Sequence, residues 1–228
     1  MSGSNRITPA LVAIIGVAVG AALAAPAATV KGDKAAWTEI AAAYRKLNGL
    51  PGYRMKGVIT GGGAGGGTMV YEVAPPSRAY HAIMHTARGT AEIFSAGDKV
   101  VQRLPDGRCM AMGQDPNRVP FLRDPEDPRD SFIYTISRNP DTVIDGTPAH
   151  VYGVTIESPR GGRPIPMTMY IGAQTGLPRC TVSTFTLTMA GQGATREITT
   201  TMDYYDYGTR LHITLPNCER RMCDRFPG

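Results

Sequence analysis

Residues 164–189 read PIPMTMYIGAQTGLPRCTVSTFTLTM, and this stretch decides the fold class. Before the central GAQTG turn, Met167 and Met169 alternate with Thr168 and Tyr170, and alternation resumes after the turn. A period of two residues, bounded by glycine and proline, is typical of antiparallel strands with one apolar face. The stretch therefore predicts a strand pair with one apolar face that is shielded from water.

Short segments of the same kind recur along the rest of the chain. Strands are predicted at 53–59, 68–73, 78–85, 91–94, 99–104, 109–112, 151–156, 165–171, 182–189, 196–205 and 210–215. Turn residues separate them, including the tight hairpin signal Asp145-Gly146. This spacing predicts a mainly β fold, in which a meander of antiparallel strands curves into all or part of a barrel.

One amphipathic helix is predicted before the strands, from Asp33 to Leu47. Trp37, Ile40 and Tyr44 recur at helical spacing and form an apolar stripe with Leu47. Asp33 is suited to cap the first turn. Because the stripe must be buried, we expect the helix to pack on the concave face of the sheet.

The N-terminus has the features of an export signal. Arg6 precedes an apolar run at 10–25, and small residues follow at possible cleavage sites. The run is shorter than the roughly 20 residues of a membrane span. We therefore predict a signal peptide at 1–27 and a single exported, periplasmic domain at 28–228. The alternative is an uncleaved anchor in the inner membrane.

The composition limits the classes of binding partner that are expected. The 228 residues carry a formal net charge of +5 without a basic run, so a nucleic-acid partner is not expected. One Trp and five Phe are accompanied by eleven Met residues. Methionine fits irregular apolar surfaces, which suits a cavity wall as well as an ordinary core.

The chain has four cysteines, Cys109, Cys180, Cys218 and Cys223. Disulfides are expected in an oxidising compartment. Four thiols allow three pairings, and the sequence does not choose among them. We favour a Cys218–Cys223 loop after the last strand together with a Cys109–Cys180 link between two strands. Zinc is not expected, since there is no CxxC pair.

Two loops have compositions that suggest ligands, but neither carries the full motif. The glycine run at 61–67 is not followed by the Gly-Lys-Ser/Thr of a phosphate-binding loop. The acidic, proline-rich segment at 113–130 lacks the ligand spacing of a calcium-binding EF-hand. We interpret the first as a hairpin tip and the second as a solvated loop or lid.

Histidines and methionines are the remaining candidates for metal chemistry. The histidines are His81, His85, His150 and His212, and a spacing of four on a strand separates two rings too far for easy chelation. The thioether pairs Met110–Met112 and Met167–Met169 could bind cuprous ion, although core or cavity lining is the favoured interpretation. No Gly-x-Ser-x-Gly or other nucleophile motif is present, so neither an enzyme nor a cofactor is expected.

Four segments together resemble one known family. They are the helix 37–44 with the strand start at 53–55, the segment 144–152, the segment 170–179, and the segment 204–216. Their order and spacing resemble the periplasmic lipoprotein-carrier (LolA/LolB-like) superfamily, which includes mycobacterial lipid-binding lipoproteins. The resemblance implies an unclosed antiparallel barrel of about eleven strands, lidded by helices, around an apolar cavity without catalytic residues.

The resemblance has one departure. Lipoprotein carriers have an arginine directly before a proline early in the sheet, whereas Ala74 precedes Pro75 here and the nearest arginine is Arg78. A general lipid-binding role is therefore expected in place of a lipoprotein-carrying cycle.

The sequence thus predicts an exported binding or carrier protein for a lipid, acyl chain or other hydrophobic molecule, with a membrane-bound donor or acceptor as a further partner. The predicted cavity lining is Trp37, Ile40, Tyr44, Met55, Met84, Met167, Met169, Phe185 and Met202. The alternatives are a sensor or protein-interaction module on the same scaffold, and a methionine-based copper-binding protein.

Overall fold

The structure, a computed structural model, describes residues 28–61, 66–87, 89–97, 99–112, 132–158, 162–188 and 195–217. Within these ranges the chain forms one α-helix, α1 (Lys34–Asn48), a 3-10 helix (Pro75–Ser77) and twelve strands. The strands are β1 (Thr29–Gly32), β2 (Tyr53–Gly61), β3 (Gly67–Ala74), β4 (Ala79–Thr86), β5 (Gly89–Ala96), β6 (Lys99–Arg103), β7 (Cys109–Met112), β8 (Ile133–Ile144), β9 (Thr147–Glu157), β10 (Ile165–Gly172), β11 (Pro178–Thr188) and β12 (Thr195–Tyr205).

All the described strands belong to one sheet, in the order β1-β8-β9-β10-β11-β12-β2-β3-β4-β5-β6-β7. β1 runs parallel to β8, and the other neighbouring pairs are antiparallel. The edge strands β1 and β7 do not pair, so the curved sheet is not closed into a barrel. The predicted fold class is confirmed.

The predicted helix and the predicted β8–β9 hairpin both form. The Asp33 carboxylate accepts hydrogen bonds from the backbone N–H groups of Ala35 and Ala36 at 2.9 and 3.0 Å, which caps α1. In the hairpin, Asp145 and Gly146 have φ values of 47° and 73°. Two successive positive φ angles are what a type I′ turn requires, and Asn, Asp and Gly adopt them most readily.

Helix α1 lies on one face of the sheet and joins two clusters of buried side chains. Ile40 packs with Met169 and other residues of β8–β10, while Leu47 packs with Met55 and other residues of β2, β3 and β12. Half-buried Tyr44 packs against both clusters. We call the face of the sheet that carries Met55 and Met169 the inner face, and the opposite face the outer face.

The predicted strand at 210–215 is wrong, because the structure has no strand at 206–217. Both sides of β12 are already paired, with β11 and β2, so the segment that follows has no free edge beside it. It folds back on the start of β2 instead, where Gly208 N–H donates to the Gly52 carbonyl at 2.8 Å.

The sequence analysis did not predict two of the strands, β1 and β8. β1 is only four residues long. In β8 the pairing with β9 shifts register between Asn139 and Thr142, around Pro140. The shift interrupts the regular alternation that a sequence pattern needs, so the long strand was not recognised.

The favoured Cys109–Cys180 disulfide is also wrong, since Cys180 is a free, buried thiol. Cys180 lies on β11 and Cys109 on β7, seven strand positions apart in the sheet order. Neighbouring strands are about 4.8 Å apart, and a disulfide needs Cα atoms within about 7 Å. Cys218 and Cys223 lie outside the described residues.

The predicted signal peptide at 1–27 and the loop at 113–130 lie outside the described residues as well. Within the described ranges, no helix has both the length and the apolar character that crossing a bilayer requires.

Candidate functional site

The nine predicted lining residues share one side of the sheet. Those on strands occupy inner-face positions, and those on α1 belong to the side that packs against the sheet. For example, Met84 lies opposite Met69, and Phe185 lies opposite the buried Ile198. Whether these residues bind a ligand stays a prediction.

The nine residues do not all face open space. Ile40, Met55, Met169 and Met202 are buried within the two clusters. The others are half-buried: Trp37, Tyr44, Met84, Met167 and Phe185. Beneath α1 the inner face is therefore a packed core rather than an enclosed chamber lined by all nine.

Beyond the helix, the inner face continues across β4, β5 and β6. Met84, Ile93 and Val100 occupy inner-face positions there and are only half-buried. Met84 and Ile93 pack against the edge of the Met55 cluster. The apolar surface thus extends past the part that α1 covers.

This extension carries no charge. The inner-face positions of β2–β7, taken from the strand register, are occupied by apolar or uncharged polar residues throughout. The charged side chains of these strands, such as Glu92 and Arg103, occupy outer-face positions. A hydrocarbon chain on the inner face of β4–β6 would therefore meet no charged side chain of these strands.

Two polar side chains interrupt this apolar surface. Ser95 on β5 and Gln102 on β6 are buried, and neither Ser95 Oγ nor Gln102 Oε1 has a hydrogen-bond partner. Both are on the inner face, because Gln102 lies opposite Ile93 and Ser95 lies opposite Val100. Sequence reasoning missed this pair. The available signal was that each is a polar residue at a strand position where the alternation has apolar residues.

The outer face carries a ladder of ion pairs across β2–β6. Arg54 bonds Glu72 at 2.9 Å, and Arg103 bonds Glu92 at 2.5 Å. Between these pairs, His81 Nε2 lies 3.0 Å from Glu92 and Nδ1 lies 3.6 Å from Glu72. The ladder ties adjacent strands together on the side away from the apolar surface.

Burial alone would raise the pKa of the Glu92 carboxyl. Hydrogen bonds from Arg103 and His81 outweigh burial and hold that pKa below its usual value. The carboxylate therefore stays ionised and paired at neutral pH.

A second polar cluster links α1 to β8 and β9. Tyr152 donates a hydrogen bond to the Glu39 carboxylate, and Arg138 contacts Tyr152 at 2.5 Å and Asp141 at 2.6 Å. Burial and the bond to Glu39 raise the pKa of the Tyr152 hydroxyl. His150 completes the cluster, with Nδ1 at 2.9 Å from Asp141. None of these contacts was predicted from the sequence.

Two shallow grooves flank this region. One, of about 280 Å3, lies beside this polar cluster and is lined by Glu39, Lys46, His150, Tyr152 and Ile171 among others. The other, of about 330 Å3, is lined mostly by outer-face residues of β8–β11, and Met167 is the one predicted lining residue that it includes. Neither groove coincides with the predicted cavity.

The features that could bind metal are dispersed in the described part of the chain. No group of three or more His, Cys, Asp or Glu side chains there is placed to bind a metal ion. The two thioether pairs lie on β7 and β10, with seven strands between them in the sheet order. They therefore do not combine into one copper site along the sheet.

Cys180 lacks the properties of a nucleophile. Burial, together with a hydrogen bond to Asp203, raises the pKa of its thiol to about 12. A reactive cysteine needs the opposite, a lowered pKa that makes thiolate available at neutral pH.

Comparisons with known proteins give only distant likenesses. No protein-family model and no curated protein matches the chain. A DUF1329 family protein from Desulfovibrio piger shares 11% identity, with a TM-score of 0.37 over 80% of this chain and 95% of that protein. An uncharacterized conserved protein from Thermus thermophilus shares 10% identity, with a TM-score of 0.43 over 76% and 89%. At these TM-scores, neither likeness says what this chain binds.

Proposed function

We propose that this protein is an exported, non-catalytic binding or carrier protein for a lipid, acyl chain or other hydrophobic ligand. The observation that carries the proposal is the half-buried, uncharged apolar surface formed by Met84, Ile93 and Val100 beyond helix α1. Burying hydrocarbon against such a surface stabilises a complex by about 0.8 kcal/mol per methylene. The ligand would lie on the inner face of β4–β6 and exchange with a membrane-bound donor or acceptor.

The unclosed curved sheet with a helix on its inner face agrees with the carrier-like resemblance of the sequence. An open sheet can widen beside β4–β6 without breaking strand pairing at a closed seam. We therefore keep membership of the LolA/LolB-like superfamily, and a periplasmic location, as part of the proposal.

A sensor or protein-interaction module on the same scaffold is the second candidate. The packed core beneath α1, where Ile40 and Met55 are buried, favours it, because such a module needs no cavity. The two candidates differ in what purified protein carries. Native mass spectrometry and solvent extraction should find a lipid or other hydrophobic molecule with a carrier, and none with an interaction module.

We expect Ile93→Asn to weaken ligand binding by at least about tenfold, since it places an amide in the apolar surface. The matched control is Ile83→Asn, the same change one strand away on the outer face, opposite Val70 and Glu92. Displacement of the neutral dye N-phenyl-1-naphthylamine by dodecanol measures the affinity, and circular dichroism checks that both variants fold. Equal loss in the two variants, or no loss in either, would remove the inner face as the site.

A further inference from the structure

Ser95 and Gln102 form a pair of buried polar side chains within the proposed binding surface. Ser95 is 0% exposed and Gln102 is 2% exposed. In the register of β5 and β6 they are diagonal neighbours on the inner face, since Ser95 lies opposite Val100 and Gln102 opposite Ile93. Diagonal neighbours across a strand pair are about 7–8 Å apart, so one small polar group could reach both.

One polar atom of each side chain lacks a hydrogen-bond partner. Ser95 Oγ and Gln102 Oε1 have no hydrogen bond, although buried polar atoms in native proteins are nearly always paired. Leaving a buried acceptor unpaired destabilises the protein that carries it. Two unpaired polar atoms on diagonal neighbours in an apolar surface therefore mark a position for a polar group from outside the chain.

The chemistry of the pair restricts that group. Gln102 Oε1 only accepts hydrogen bonds, so its partner must donate, whereas the Ser95 hydroxyl both donates and accepts. An ionised carboxylate or phosphate has no proton to donate to Gln102. No inner-face position of the described strands β2–β7 carries a cationic side chain that could pair with such an anion, and burying an unpaired charge is costly.

The charges nearest along the same strands are not available to an anion. Arg103 follows Gln102 but occupies the outer face, where it bonds Glu92 at 2.5 Å. His81 on β4 is on that face too, at 3.0 Å from Glu92. The sheet itself separates these groups from Ser95 and Gln102.

We propose that Ser95 and Gln102 bind the polar end of the ligand, and that this end is an uncharged group with a hydroxyl or amide N–H. A monoacylglycerol or a long-chain alcohol has this chemistry, whereas an ionised fatty acid does not. The assignment rests on the proposed function, because it supplies the polar end of the same ligand whose hydrocarbon part lies on Met84 and Ile93.

Ligands with the same chain and different polar ends test the assignment. Full mature protein is loaded with N-phenyl-1-naphthylamine, and the dye is displaced at neutral pH by dodecanol, monolauroylglycerol, laurate or methyl laurate. We expect the alcohol and the monoacylglycerol to bind at least about tenfold more tightly than laurate and the methyl ester. Equal binding of all four, or preference for laurate, overturns the assignment but leaves the proposed function standing. Failure of all four to displace the dye overturns both.

Variants of the pair provide the second arm. In Gln102→Met the acceptor is replaced by an apolar side chain of similar length, so the preference for a hydroxyl should fall to within about twofold. The melting temperature of the ligand-free protein should rise, since an unpaired buried acceptor is removed. Ser95→Ala should weaken the same preference.

The matched control is Gln174→Met, an exposed position in the turn between β10 and β11, which should change neither quantity. A lower melting temperature in Gln102→Met with an unchanged preference would overturn the assignment, because Gln102 would then already have a partner within the protein.

Discussion

Replacing Met55 by alanine is expected to lower the free energy of unfolding by about 2–5 kcal/mol, the cost of truncating a buried Met, Leu or Ile side chain. Met55 is 0% exposed and packs in the cluster of Tyr53, Met69 and Met202. Removing its thioether leaves a cavity that neighbours from three strands cannot all fill. Urea unfolding monitored by circular dichroism measures the change.

Met110→Ala is the matched control for this prediction. Met110 lies on the edge strand β7 and is 44% exposed, so the same truncation should change the free energy by no more than about 0.5 kcal/mol. A loss below about 1 kcal/mol at Met55 would contradict a packed core there. It would instead favour the original sequence interpretation of Met55 as a cavity wall.

Alkaline pH is expected to unfold the protein well before its buried tyrosines ionise in the folded state. Burial raises the pKa of Tyr53, Tyr71 and Tyr204 above the ordinary value of 10.0. Below pH 10 the stability is intact, because folded and unfolded chains both keep these protons. Above it the unfolded chain ionises first, so stability falls as pH rises toward the folded pKa values.

The size of the effect follows from the number of such groups. For each hydroxyl that stays protonated in the folded state, the free energy of unfolding falls by about 1.4 kcal/mol per pH unit above about pH 10. The three hydroxyls together therefore lower it by about 4 kcal/mol at about pH 11. That is a large share of the roughly 5–15 kcal/mol by which native domains are stable. Circular dichroism and the absorbance of tyrosinate, followed together against pH, should show one joint transition.

Tyr71→Phe is the control for the alkaline transition. This variant keeps the ring in the cluster around Met55 and removes one hydroxyl. The decrease in the free energy of unfolding at about pH 11 should therefore be smaller by about 1.4 kcal/mol. The explanation fails if tyrosinate absorbance rises with an ordinary midpoint near pH 10 while circular dichroism stays native.

Face assignment was the most successful part of the sequence analysis. Met167 and Met169 on β10, and Met202 on β12, all lie on the inner face as alternation predicted. The reason is local, because successive side chains on a strand point to opposite faces whatever the strand pairs with. A spacing of four residues also puts His81 and His85 on the same face of their strand, and both occupy the outer face.

Predictions that depended on distant neighbours were less successful. The sequence around 210–215 alternates like a strand, but both sides of the preceding strand β12 are already paired, with β11 and β2. Cys180 and Cys109 both lie on strands, yet the sheet order keeps them far apart. Strand order and edge availability are properties of the whole sheet, so no local pattern contains them.

The amino-acid sequence by itself determined ten of the twelve described strands, the capped helix and the apolar side of those strands, because these follow from the two-residue and 3.6-residue periods of the chain. Only the tertiary structure decided how much of the inner face α1 fills, and that Met84 and Ile93 lie beyond it. It alone brought Ser95 and Gln102 together and placed the charged ladder on the other side. These relations arise where strands meet, and which strands meet depends on the free energy of the whole sheet.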